Sequence, residues 1–114
     1  MAPTKPLVTQ QIQNCFNIMD VPQADVAELT GTTMAKAKRA EVWRTKRLVF
    51  CTPHTLNNDL KEMPALAHRI VCVVVDEAHR ASAKNYPHSQ VIRRIRARTP
   101  FFRVVALTAT PGAK

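Results

Sequence analysis

The chain has 114 residues, room for one small domain or for part of a larger one. With 46% hydrophobic residues it is too apolar for a disordered tail. No run approaches the roughly 18–20 apolar residues of a membrane span, and the basic N-terminus has no signal-peptide core, so a soluble intracellular protein is expected. Seventeen Lys and Arg against eight Asp and Glu give a net charge of +9, which favours a polyanionic partner, nucleic acid before an anionic membrane surface. Cys15, Cys51 and Cys72 stand far apart without CxxC or CxxH spacing, which argues against a zinc site or a disulfide framework.

In chain order, Leu7, Val8, Ile12, Cys15, Phe16 and Met19 recur at helical spacing, with Thr4 as cap and Pro6 in the first turn. Residues 25–30 form a short candidate strand ending at Gly31. Residues 33–45 set Lys36, Lys38, Arg39, Glu41 and Arg44 around Met34 and Trp43, an exposed basic helix. Leu48 to Cys51 is a short apolar strand, and Thr52-Pro53 has the cap-plus-proline form that opens a helix. Ile70 to Val75 is unbroken and rich in β-branched residues, as suits a central parallel strand covered on both faces. Cys51 and Cys72, inside these strands, read as small buried hydrophobes. A helix over 85–98 should turn Val91, Ile92 and Ile95 inward and Arg93, Arg94, Arg96 and Arg98 mostly outward. Arg103 to Leu107 is the last strand, broken by Thr108-Ala109-Thr110-Pro111-Gly112. Alternating strands and helices predict a parallel α/β sheet of about four strands.

Ligands of open α/β sheets bind at the carboxyl ends of the strands. Thr30-Gly31, Thr52-Pro53, Asp76-Glu77-Ala78-His79 and Thr108-Ala109-Thr110 should converge there. In VVVDEAH an aliphatic strand delivers an acidic pair into a polar loop, as a magnesium-nucleotide site requires. Asp76 would hold Mg²⁺ directly or through water, since that ion takes oxygen ligands and keeps much of its water shell. Glu77 would orient and polarise the water that attacks a γ-phosphate. His79 can sense the nucleotide, and the hydroxyls of Thr108 and Thr110 can bond it. A lone Asp-Glu after a strand is otherwise a solvated turn; the second strand-end motif, LTATPG, in the right order is what favours chemistry.

DEAH followed by TAT resembles motifs II and III of superfamily 2 helicases. APTKPLVTQQ resembles motif Ia, LTG with its basic helix the next block, and CTPHTLNNDL motif Ib in the form used by the FANCM and Hef type of DNA-fork remodelling helicases. The resemblance runs from about Ala2 to Gly112. It implies a partial RecA-like P-loop NTPase domain over 1–114, working with ATP and Mg²⁺ on branched or fork DNA in the nucleus. It also implies a nucleic-acid track over Pro3, Thr4 and Lys5, Gly31, and Thr52-Pro53. Helix N-termini and threonine hydroxyls suit phosphate oxygens, so binding there should be salt-sensitive and sequence-tolerant. The basic cluster of residues 36–47 and the arginines at 93–98 read as solvated helix faces, and Trp43 and Tyr86 as packing residues.

A motor of this kind needs a phosphate loop G-x-x-x-x-G-K-[ST]. The only glycines of the 114 residues are Gly31 and Gly112, so none can be written. Motif I, its strand and the second motor domain are therefore expected to be missing, with ATP binding doubtful and ATPase activity absent from the chain alone. The strand ahead of PTKPLV is reduced to Met1-Ala2. The alternative is a non-catalytic module that binds nucleic acid or a partner through its basic face. A stand-alone metal hydrolase is disfavoured, because one acidic pair and one histidine enclose a metal poorly. Without the phosphate-loop strand, the edge at 103–107 should lie open to pairing or aggregation, and the chain should be marginally stable.

Overall fold

Thr4 leaves the helical region at φ −134° and Pro6 occupies the first turn, so the chain enters α1 (Lys5–Ile18) where the cap and proline predict. The computed structural model describes residues 1–30, 34–76 and 87–107. After α1, a 3₁₀ turn (Gln23–Asp25) leads to β1 (Val26–Leu29), then α2 (Lys36–Thr45), β2 (Leu48–Cys51) and α3 (Pro53–Glu62). A second 3₁₀ segment (Pro64–Arg69) precedes β3 (Cys72–Val75), followed by α4 (Pro87–Arg96) and β4 (Arg103–Ala106). The strand expected at 25–30 is shortened because Asp25 closes the 3₁₀ turn. The basic helix starts at Lys36 rather than 33, and the helix expected over 85–98 spans Pro87–Arg96 within the described residues.

The strands form two parallel ladders. Val26 to Leu29 pair with Leu48 to Cys51, and Cys72 to Val75 with Arg103 to Ala106. Met1 and Ala2 join them. The Met1 amine donates to the Val74 carbonyl and Asp76 N–H donates to the Met1 carbonyl at 2.9 Å, the bonding pattern of a parallel neighbour. On the other side Ala2 N–H donates to the Cys51 carbonyl at 3.2 Å. The next rung would need an N–H from residue 53, which is proline, so the pairing stops. The spatial order is thus β1, β2, the Met1–Ala2 step, β3, β4. Beyond that step the sheet opens into an apolar trough of about 570 Å³ beneath α1, lined by β2 and residues 70–74.

The core lies under α3 and α4, where Leu56, Leu60, Val91 and Ile95 meet Val73 and Val75. Val91 and Ile95 are fully buried and Ile92 is partly so, as the helical pattern predicts. β3 is covered on one face only. Val73 and Val75 are buried while Cys72 and Val74 are exposed, so the expectation of cover on both faces fails. The corresponding expectation of a buried Cys72 fails with it: α1 packs on β1 and β2, and the apolar trough separates it from this side of β3. Cys51 is buried as expected. β4 pairs only with β3, so among the described residues its outer edge is open, and all four of its residues are exposed. Of the apolar stripe read on α1, Val8 and Cys15 are buried, whereas Phe16 and Met19 face outward.

Candidate nucleotide and nucleic-acid site

Every strand of a parallel sheet ends on the same side, so three of the expected segments share one edge. Asp76 directly follows β3, Thr52 and Pro53 follow β2, and Pro3 to Lys5 follow the Met1–Ala2 step. The Asp76 backbone is anchored by its bond to the Met1 carbonyl. Its carboxylate accepts a 2.7 Å hydrogen bond at Oδ2 from Gln11 Nε2 on α1. Gln11 was not singled out in the sequence. No local pattern distinguishes it from Gln10 or Gln13.

The two helix N-termini at this edge differ in what they offer. At α3 the Thr52 hydroxyl accepts from Thr55 N–H at 3.4 Å and lies 3.0 Å from the Thr55 hydroxyl. Pro53 has no N–H, which leaves the His54 N–H as the first-turn donor; His54 is exposed and was likewise missed in the sequence. At α1 the Thr4 side chain makes no capping bond. Thr4 is exposed, and the Lys5 and Leu7 N–H groups of the first turn have no partner within the helix, with Pro6 contributing none. Glu77, His79, Thr108, Thr110 and Gly31 lie outside the described residues, as does Tyr86.

Burial holds the Met1 ammonium below its ordinary pKa, although the fields of Cys51 and Asp76 oppose this. Burial also pushes the Cys51 thiol up to about 11. A carboxylate fixed at a strand end is a hard oxygen donor, the kind that suits a magnesium ion retaining much of its water. Among the described residues no three His, Cys, Asp or Glu side chains come together as a metal cage.

Behind the edge, α3 is tied on both sides by buried polar groups. Asp59 accepts Arg39 Nε at 2.7 Å and Trp43 Nε1 at 2.8 Å, both from α2. Arg39 also donates to the Met34 carbonyl at 2.8 Å and pairs with Glu62 at 3.2 Å. Asn57 donates to Gln90 at 2.7 Å and accepts from Arg94 Nε at 2.8 Å, both on α4. Trp43 is therefore a packing residue, as read from the sequence.

Known proteins resemble the chain in fold and sequence. The crystal structure of the Pyrococcus furiosus Hef helicase domain superposes with a TM-score of 0.80 at 34% identity, over 100% of this chain and 24% of that one. The Fanconi anemia group M protein homolog of Mus musculus is 49% identical over 99% of the chain, which spans 6% of that protein. The ATP-dependent DNA helicase mph1 of Sclerotinia sclerotiorum is 50% identical over the same share, spanning 9% of its length. The chain thus covers a small part of the curated relatives it matches. The sequence profile of the DEAD/DEAH box helicases matches residues 1–114, and with these relatives it shows that the chain belongs to the DEAD/DEAH box helicase family, with a RecA-like α/β fold.

Proposed function

We propose that the chain contributes the magnesium and water-activating half of an ATP-hydrolysing motor that moves on DNA. Its relatives named above include ATP-dependent DNA helicases. The observation that carries the proposal is the anchored Asp76, set at the same sheet edge as two helix N-termini with donors to spare. ATP with Mg²⁺ would supply the reactive γ-phosphate and neutralise its charge. Asp76 would hold the ion, through water, in the orientation its Gln11 bond favours. Glu77 would orient and polarise the attacking water, and His79 with Thr108 and Thr110 would relay the nucleotide state by hydrogen bonding. Pro3, Thr4, Lys5, Gly31, Thr52 and Pro53 would track one DNA strand, with His54 N–H added to that set.

Branched or fork DNA is the proposed substrate and the nucleus the proposed location. The 114 residues hold no G-x-x-x-x-G-K-[ST] loop, so the phosphate cradle must come from elsewhere for turnover to occur. The same observation favours the second reading, a non-catalytic module that binds nucleic acid. DNA-stimulated ATP turnover by the purified chain, with Glu77→Gln as control, separates the two. Expected is no turnover in either. Turnover abolished by Glu77→Gln would mean that phosphates are held without that loop.

A further inference from the structure

Of the 17 Lys and Arg, eight follow Glu77 in the sequence, and none of the eight Asp and Glu does. Among the described residues the fold brings five of the 17, Arg44, Arg47, Arg69, Arg98 and Arg103, to the amino edge of the sheet, opposite Asp76. In a strand–helix–strand unit the helix ends where the next strand begins. Arg44 therefore closes α2 beside Arg47, which precedes β2; Arg69 precedes β3; Arg98 follows α4; and Arg103 opens β4.

Hydrogen bonds show that these segments are neighbours. Arg69 Nη2 donates to the Arg44 carbonyl at 2.7 Å, and Arg103 N–H donates to the Val71 carbonyl at 3.0 Å. Glu41, 3.8 Å from Arg44, and Asp25, whose carbonyl accepts Arg47 N–H, are the acids that reach this band. The ion pairs among the described residues all lie between positions 39 and 62, so Arg98 and Arg103 have no carboxylate partner there.

A second feature is aromatic. Phe101, between Arg98 and Arg103, is 85% exposed. It is presented by a fixed turn: Thr99 is buried, its N–H bonds the Ile95 carbonyl at 2.9 Å, and its hydroxyl accepts Phe101 N–H at 3.1 Å. A phenyl ring held in water, with an exposed arginine three positions before it and another two positions after it and the exposed Val71 on the adjoining segment, has the make-up of a base-stacking platform beside phosphate contacts. An acidic protein surface would use the arginines but give the ring no role.

We propose that this amino edge is a second nucleic-acid surface, with Phe101 stacking on an unpaired base and Arg69, Arg98 and Arg103 holding the adjoining phosphates. It is separate from the strand-end track and would let one domain touch two segments of a branched molecule.

The test is fluorescence anisotropy of the 114-residue chain on a labelled DNA fork across a salt series, with circular dichroism to verify folding. Phe101→Ala should weaken fork binding by about 5- to 150-fold, the range for loss of one stacked base. Phe101→Trp should restore it, and binding to heparin, a polyanion without bases, should not respond to either. Arg98→Gln with Arg103→Gln should lower the salt slope by about 0.7 per lost contact on a single strand. Wild-type affinity and slope in these folded variants would overturn the proposal. So would an equal loss on heparin in Phe101→Ala. Lys5→Gln tests the other edge: an unchanged affinity there, with losses at Phe101 and Arg98, would sink the strand-end track and leave the amino edge standing.

Discussion

Asp59→Asn changes the chemistry of one buried group while keeping its shape. The carboxylate is 1% exposed and accepts a donor on each oxygen, Arg39 Nε and Trp43 Nε1. An asparagine has one acceptor oxygen, so whichever way its amide turns, one of the two donors faces an NH₂ group. The variant thus loses one hydrogen bond made to a charged acceptor, about 1.5–3 kcal/mol. It also loses the charge that pairs with Arg39, itself only 12% exposed. Deleting a partner from a buried pair costs about 3–5 kcal/mol; retaining one acceptor keeps asparagine below the top of that range, at about 2–4 kcal/mol. Small domains total about 5–15 kcal/mol, so the urea midpoint should fall by a large fraction. Trp43 is the chain's single tryptophan and reports the transition by its fluorescence. Repeating the substitution on Trp43→Phe, followed by circular dichroism, removes the second donor and lets the amide oxygen serve Arg39 alone. The cost of Asp59→Asn should then shrink. A loss below about 0.5 kcal/mol in the first case, or an undiminished loss in the second, would refute the reasoning.

Stability should peak near pH 8–9. The Met1 ammonium has a folded pKa depressed below 8.0, so its contribution grows as pH rises toward 8.0; the Cys51 thiol is raised from 9.0 to about 11, so up to about 3 kcal/mol is lost as pH climbs through that window. Urea titrations from pH 6 to 11 check both limbs, and a flat profile would count against both burials. Cys72 is exposed while Cys15 and Cys51 are buried, so iodoacetamide on the native chain should label Cys72 first, as peptide mapping would show. The exposed β4 edge should drive self-association that rises with concentration, and Val105→Lys should reduce it in light scattering. Asn57→Leu should cost less than about 1 kcal/mol in urea unfolding, well under Asp59→Asn, because the exposed Arg94 can turn to water when it loses Asn57.

What could be read from sequence was what local chemistry decides. Thr52-Pro53 opens α3 because a threonine oxygen and a proline without N–H meet the needs of a helix start unaided. Leu48 to Cys51 is a strand with the bounds its apolar run gives, and Val91 and Ile95 point inward as a 3.6 period requires. Asp76 ends its strand because the aliphatic run stops there. What failed was non-local. Ile70 to Val75 has the composition of a strand buried on both faces, yet whether a face is covered depends on what lies over it, and Cys72 is exposed. Gln11 meets Asp76 across 65 positions and Trp43 meets Asp59 across 16; no spacing rule within α1 or α3 announces either bond.

Asn57 and Asp59, buried polar residues of α3, lie within two turns of its Thr52 cap and, two positions apart, face different neighbours. Asp59 reaches α2 and Asn57 reaches α4. Apolar contacts alone would let α3 slide or roll by small amounts at little cost, since such contacts have no fixed direction. Directed bonds on opposite sides remove that freedom, and a displaced carboxylate would be stranded in a site that excludes water. The Thr52–Pro53–His54 terminus is therefore held in a fixed relation to both flanking helices. Rigid placement matters most where the ligand is a phosphate chain, because a backbone donor that recognises it cannot reach out as a lysine does. The ties are unequal: the one toward α2 is sealed by Trp43, and the one toward α4 ends on an arginine at the surface. A force on the amino end of α3 should therefore pivot it about Asp59 and give way at Asn57, the side whose partners water can replace.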